Sequence, residues 1–241
     1  MAAPGMAFYL AGDRYPADRG GEQALCARLS PLLPVIRRQS DWLGAPPREV
    51  SIPDRLDRIA ACVGTAEDVV LLARSSGARV ATHLAARQKL RAVVCMAYPF
   101  QAPHTVLEPD RFAHLAALTV PTLILQGAQD EYGALEATER FRLSPHVRLA
   151  FLPGVDHGFR LSEPGWDHAA TLVASFLNGA LAPIAPDEFD EAYYLGRHPD
   201  VAAAVRDGRV ASGYGHYTGS GWRVGRRFRQ LPLPGQFAAG T

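Results

Sequence analysis

Ser75, Asp130 and His157 are the residues of this 241-residue chain whose types and order could do nucleophilic chemistry. A neutral serine hydroxyl is a poor nucleophile, so it needs an adjacent base to take its proton. An imidazole such as that of His157 can do this. A carboxylate such as that of Asp130 would fix the tautomer of the ring and stabilise the imidazolium as it forms. Ser75 sits in Ala73-Arg74-Ser75-Ser76-Gly77, directly after the apolar run Asp68-Val69-Val70-Leu71-Leu72 and ahead of the helix-like stretch Ala78 to Ala85. A small-x-Ser-x-Gly turn between a strand and a helix is the layout of a nucleophile elbow, too tight for bulky flanks and able to lift the serine oxygen clear of the sheet edge. Ala73 stands where that pattern has its first glycine, and its methyl is the smallest intrusion possible, so the expectation is strain rather than exclusion.

The acid and the histidine each follow a run of strand character. Thr122-Leu123-Ile124-Leu125 ends in Gln126-Gly127-Ala128-Gln129-Asp130, and Val147 to Leu152 ends in Pro153-Gly154-Val155-Asp156-His157-Gly158-Phe159. Asp130 has a plainer reading as a turn former or helix cap, and Glu131 is the fallback acid. Ser76 competes with Ser75, but lies one residue too far from the strand. Asp156 is expected to tie down the histidine loop. The segment Pro99 to Pro109 also follows a strand, which makes Phe100, Gln101 and His104, with Tyr132 from the acid loop, the candidates for lining a substrate pocket. Asp110 and His114 stand at i and i+4, but without further ligands they read as an exposed helix face, and no metal site is expected.

The elements that would position these groups alternate between strand and helix. Strands are expected at Met6–Ala11, Val35–Arg38, Asp68–Ala73, Arg91–Met96, Thr122–Leu125 and Val147–Leu152. Helices are expected at Glu22–Leu33, Arg55–Val63, from the elbow to about Lys89, Arg111–Leu118, Ala134–Phe141 and Trp166–Leu177. Strands that are apolar throughout, with helices between them, predict a doubly wound, mostly parallel α/β sheet of about six strands covered on both faces. Ligands of such sheets sit beyond the carboxyl ends of the strands, the edge from which the loops after Ala73, Gln126 and Leu152 leave.

Composition narrows the partners. The net charge of +1 gives no reason to expect nucleic acid or an anionic membrane. No apolar run approaches the roughly 18 residues a membrane span needs, and the start of the chain has no basic leader, so the cytoplasm is the expected location. Cys26, Cys62 and Cys95 are widely spaced in apolar surroundings and read as reduced thiols. Near Ala180 the texture changes. A Pro/Ala-rich linker follows a first unit of residues 1–181, and residues 187–230 form a small aromatic and glycine-rich module expected to be mainly helical, with 231–241 as a tail.

The order Ser, Asp, His, together with residues 73–81, Ala97-Tyr98-Pro99-Phe100, Pro121 to Asp130 and Asp156-His157-Gly158-Phe159, resembles the α/β-hydrolase family, and within it a compact dienelactone-hydrolase-like branch, over residues 6 to about 178. The resemblance implies hydrolysis of a carboxylic ester, or of a thioester or lactone, with no metal or organic cofactor. It also implies an oxyanion hole made by the backbone N–H of Ser76 and one from the Gly12–Asp13 loop, which lacks the family's His-Gly pair. Tyr193-Tyr194-Leu195, Pro199-Asp200-Val201, His216-Tyr217 and Gly225-Arg226 are similar to a short module appended to bacterial glycosyltransferases and surface-polysaccharide proteins, which adds an acylated glycan to the implied small-molecule substrates. The alternative is a non-catalytic binding or scaffold protein that kept the fold. Acyl transfer to an alcohol instead of water, and the oligomeric state, stay open at this level.

Overall fold

A computed structural model describes residues 5–144, 146–179, 186–221, 224 and 226–232. Six parallel strands form one sheet: β1 (Met6–Leu10), β2 (Ile36–Arg37), β3 (Val69–Arg74), β4 (Ala92–Met96), β5 (Thr122–Gly127) and β6 (Val147–Leu152). Their order is β2-β1-β3-β4-β5-β6, so the chain reverses direction across the sheet between β1 and β3. The helices are α1 (Arg19–Leu29), α2 (Gln39–Trp42), α3 (Ile52–Val63), α4 (Ser76–Ala85), α5 (Ala137–Arg140), α6 (Glu163–Leu177), α7 (Glu191–Arg197), α8 (Pro199–Arg206) and α9 (Gly213–His216). The expected doubly wound α/β sheet is the one observed.

The central strands are buried on both faces because every residue of β3, β4 and β5 is apolar or has its polar atoms paired. Alternate side chains feed two cores. Phe8, Leu71, Val93, Ile124 and Phe151 pack with α3 and α4 on one face. Tyr9, Leu72, Val94, Leu123 and Leu152 pack with α1 and α6 on the other. Three helices, α1, α3 and α6, start earlier than their apolar periodicity predicts, and in the last two a cap sets the start. The Ser51 hydroxyl accepts from the Asp54 N–H with Pro53 in the first turn, and the Ser162 hydroxyl accepts from the Gly165 N–H with Pro164 in the first turn. Helix α1 stops at Leu29 instead of Leu33, two residues before Pro31, which cannot donate the next helical bond. The helix expected over Arg111–Leu118 is instead two 3₁₀ turns, Pro109–Arg111 and Ala113–Ala117.

The C-terminal residues build a third cluster around Phe189, Tyr194, Val201 and Tyr217, and are mainly helical as expected. This cluster meets the sheet at β6. The Gln230 side-chain amide donates to the Leu149 carbonyl at 2.9 Å, and Arg148 pairs with Glu188 at 2.6 Å. Arg229 reaches Glu139 at 2.6 Å. The expected linker lies mostly outside the described residues, as does most of the tail. No helix among the described residues is long and apolar enough to cross a membrane.

Candidate active site

Strand β3 delivers the serine. Its last residue, Arg74, is followed by Ser75 at φ 50°, ψ −123°, outside the regions L-residues favour, and α4 begins at the next residue. The chain tolerates this strain because both sides of the turn are held: the Ser75 N–H donates to the Met96 carbonyl at 3.0 Å, and the Ala78 N–H donates to the Ser75 carbonyl at 2.8 Å. Gly77 makes the turn possible. A Cβ there would lie 2.2 Å from the Leu10 carbonyl oxygen, so the helix can approach β1 only without a side chain. Ala73 is fully buried and pairs across to Leu10 and Cys95 in regular parallel register, so its methyl is absorbed into the core.

The histidine arrives from the loop after β6 and the acid from the loop after β5. Ser75 Oγ and His157 Nε2 are 2.9 Å apart. His157 Nδ1 lies 3.0 Å from each carboxylate oxygen of Asp130. The three expected residues therefore form one continuous chain of contacts. Asp130 is buried, and burial pushes its carboxyl above the usual carboxylate range against the opposing pull of His157. The ring of Tyr132 lies on that of His157, centroids 4.0 Å apart. Glu131, the fallback acid, is exposed.

Two buried side chains, neither singled out from the sequence, hold this chain in place. The Gln126 amide donates to Asp130 Oδ2 at 2.9 Å and to the Gly133 carbonyl at 2.6 Å, while its oxygen accepts from the Tyr98 N–H at 2.8 Å. Asp130 Oδ1 also accepts from the Tyr132 N–H at 2.8 Å, so the carboxylate is clamped from two sides. Arg74, at the variable position of the elbow, donates to the carbonyls of His157 at 3.1 Å and Gly158 at 2.9 Å and pairs with Asp18. Gly127 lets the acid and histidine loops touch, since a Cβ there would sit 2.2 Å from the Val155 carbonyl.

The oxyanion candidates lie where the elbow meets the loop after β1. The N–H of Ser76 belongs to the first turn of α4 and has no acceptor within the helix. A Cβ on Gly12 would be 3.0 Å from Ser75 Cβ, which puts the Gly12–Asp13 backbone beside the nucleophile. The side chain of Asp13 accepts from the Ser76 hydroxyl at 2.6 Å, which ties that loop to the elbow. Of the pocket candidates, Tyr132 is beside the site. Gln101 is half-buried and donates its amide to the Thr105 carbonyl at 2.8 Å, and its N–H donates to the Tyr132 carbonyl. His104 is exposed. Phe100 is in the core: it is fully buried against Tyr98 and Phe141, because an apolar ring beside the strand end gains more by packing under α5 than by facing the open edge. Asp110 and His114 do not form a ligand pair. Asp110 takes Arg79, and His114 stacks on His83 at 3.9 Å. No group of His, Cys, Asp and Glu among the described residues could hold a metal.

A parallel sheet with a serine at a strand–helix elbow, and an acid and a histidine on later strand-end loops, is the arrangement that defines the α/β-hydrolase fold. A sequence model of the alpha/beta hydrolase domain matches residues 37–178, and the chain belongs to that family. Among solved structures, it is similar to an alpha-beta serine hydrolase homologue from Coxiella burnetii, at 19% identity and TM-score 0.55 over 73% of this chain and 85% of that one. It is similar to a thermophilic esterase from Thermogutta terrifontis, at 17% identity and TM-score 0.52 over 74% and 91%. It is similar to a haloalkane dehalogenase from Bradyrhizobium elkani, at 16% identity and TM-score 0.52 over 75% and 92%. These are likenesses of fold, shared by proteins whose names denote different reactions. No curated protein matches the chain in sequence.

Proposed function

We propose that the protein is a serine hydrolase that cleaves a carboxylic ester through an acyl-enzyme. The observation that carries this reading is the unbroken relay from Ser75 Oγ to His157 Nε2 at 2.9 Å and from His157 Nδ1 to Asp130 at 3.0 Å, with Ser75 held at positive φ. Ser75 Oγ attacks the acyl carbon as His157 Nε2 takes its proton. The oxyanion forms against the backbone N–H groups of Ser76 and the Gly12–Asp13 loop. His157 then returns the proton to the departing alkoxide, which leaves as the alcohol. Water attacks the acyl-serine by the same route in reverse, with His157 as base, to release the acid and restore Ser75. Asp130 stays ionised beside Nδ1 and orients the ring. An idle scaffold would have no need to keep a strained serine aligned with two buried clamps, which favours the enzyme over the binding protein.

The dienelactone-hydrolase-like branch is the reading we adopt within the family. Residues 187–230 are read as a unit appended to a core of residues 1–181, supported by their own aromatic cluster. The resemblance of that unit to modules of surface-polysaccharide proteins adds acylated glycans to the substrates to be screened. The three free cysteines fit a reducing cytoplasm. The test is labelling by a fluorophosphonate probe alongside turnover of short acyl esters and acetylated sugars. Wild-type protein is expected to label and to turn over an ester, and Ser75→Ala to do neither. Equal labelling of Ser75→Ala would overturn the assignment.

A further inference from the structure

Beside the elbow lies an open cleft of about 280 Å³, lined by Asp13, Ser76 and Arg79 together with Arg48, Ile52 and Arg55 from the stretch leading into and along α3. Its charge is unbalanced: three guanidinium groups share the lining with one carboxylate. Arg55 is fully buried. It donates to the Ala11 carbonyl at 2.6 Å, to Ser76 Oγ at 3.0 Å and to Asp13 Oδ1 at 3.3 Å. That Asp13 side chain is 58% exposed, and the same oxygen also takes the Ser76 hydroxyl. Arg55 Nε and Arg79 Nε are buried without a hydrogen-bond partner among the described residues. Arg79 pairs outward with Asp110 at 2.6 Å, and Arg48 stands at the rim, 70% exposed, with its nearest carboxylate 3.8 Å away. A buried cation matched by one shared, half-solvated carboxylate is costly to fold, and burial pulls the Arg55 pKa down against the charge of Asp13. An incoming anion would find a positive potential already in place at no further reorganisation cost.

The position of the cleft says which half of an ester it would receive. It shares Ser76 and Asp13 with the proposed oxyanion hole and includes no residue of the histidine loop, whereas the leaving oxygen must lie within reach of His157. We propose that the cleft binds a carboxylate at the far end of the acyl group, so that the preferred substrates are monoesters of short dicarboxylic acids. This rests on the serine-hydrolase reading and specifies its substrate class.

The test compares mono-4-nitrophenyl glutarate with 4-nitrophenyl valerate, an uncharged ester of equal chain length, each corrected for its uncatalysed hydrolysis. The glutarate is expected to be favoured in kcat/KM by on the order of tenfold or more, the size expected of hydrogen bonds to a charged partner. The advantage should shrink as salt is raised, since the rim of the cleft is open to screening. Arg48→Glu, a surface change, should reduce the preference several-fold, and Arg79→Gln should act in the same direction. Calorimetric titration of Ser75→Ala with monomethyl glutarate and with methyl valerate reads binding apart from chemistry, with tighter glutarate binding expected. Turnover without a glutarate preference, or a preference indifferent to Arg48→Glu, overturns the anion site and leaves the hydrolase standing. Selective glutarate binding without turnover by wild-type protein sinks the hydrolase reading and keeps the site. Neither turnover nor selective binding overturns both.

Discussion

Replacing Arg74 with methionine tests how the histidine is kept in place. The substitution keeps the buried aliphatic stem and removes a guanidinium that is only 7% exposed and donates to the carbonyls of His157 at 3.1 Å and Gly158 at 2.9 Å. Each bond from a charged donor is worth about 1.5–3 kcal/mol, so about 3–6 kcal/mol of restraint on the loop is at stake. The carboxylate of Asp18, 18% exposed, also loses its partner. Ser75 and Asp130 are anchored by other groups, so the loss falls on the position of His157 relative to both. A displacement of about 1 Å at a reacting group costs on the order of 10²-fold in rate. The measurement is kcat and KM on a short 4-nitrophenyl ester, the rate of fluorophosphonate labelling, and the thermal midpoint. Arg74→Met is expected to lose about 10²-fold in kcat and to label more slowly in proportion, with KM nearly unchanged. Arg74→Lys should recover part of the loss, because an ammonium can donate to the two carbonyls that the single nitrogen Nη2 holds but cannot also take Asp18 as Nη1 of the planar fork does. Wild-type kcat in a folded Arg74→Met protein would refute the reasoning, as would a fall in midpoint with no change in kcat.

Gly77→Ala forces a methyl to within 2.2 Å of the Leu10 carbonyl. It should cost at least about 1–3 kcal/mol, the usual price of overpacking, read as a lowered denaturation midpoint, and wild-type stability would contradict the close approach. Gln126→Leu strands the Gly133 carbonyl and the Tyr98 N–H, buried groups that cost about 1–3 kcal/mol each when unpaired, and leaves Asp130 Oδ2 with His157 alone. Both stability and kcat should fall, whereas Asp130→Asn should act chiefly on kcat, by about 10⁴-fold as for the acid of other triads. His114, half-buried and stacked on His83, has its pKa lowered to about 3 by desolvation, so the folded state resists the proton that the unfolded chain accepts near its ordinary value. Its contribution to stability is present above pH 6.5 and is lost as pH falls below it. Near pH 4.5 the loss is about 2–3 kcal/mol. Chemical denaturation across that range should show a shallower acid decline in His114→Gln, and parallel curves would exclude the histidine as a cause.

The three residues of the relay were legible because each stands one turn beyond an apolar run, and a polar side chain there has only the open end of the sheet to occupy. The clamps were not. Arg74 touches groups 83 and 84 positions away in the chain, and nothing local distinguishes it from any other residue inside an elbow. Gln126 reads as the first residue of a loop, yet β5 continues through Gly127 and turns its amide inward. The starts of α3 and α6 were visible as Ser51 with Pro53 and Ser162 with Pro164, signals of capping rather than periodicity. Phe100 shows the opposite case: its placement depends on Phe141, a partner that only the folded chain brings near.

The sheet ends in two dissimilar margins. At one, β2 is two residues long, too short to template another strand. At the other, β6 runs for six residues, and its outward carbonyl at Leu149 is taken by Gln230 and by Arg148 of its own strand. The C-terminal residues thus act as a stopper on the long margin. A protein cut short ahead of Pro186 would keep its relay of serine, histidine and acid but carry an unprotected strand edge, the kind of surface on which chains recruit one another. Its failing would be loss from solution with time and concentration, not loss of chemistry.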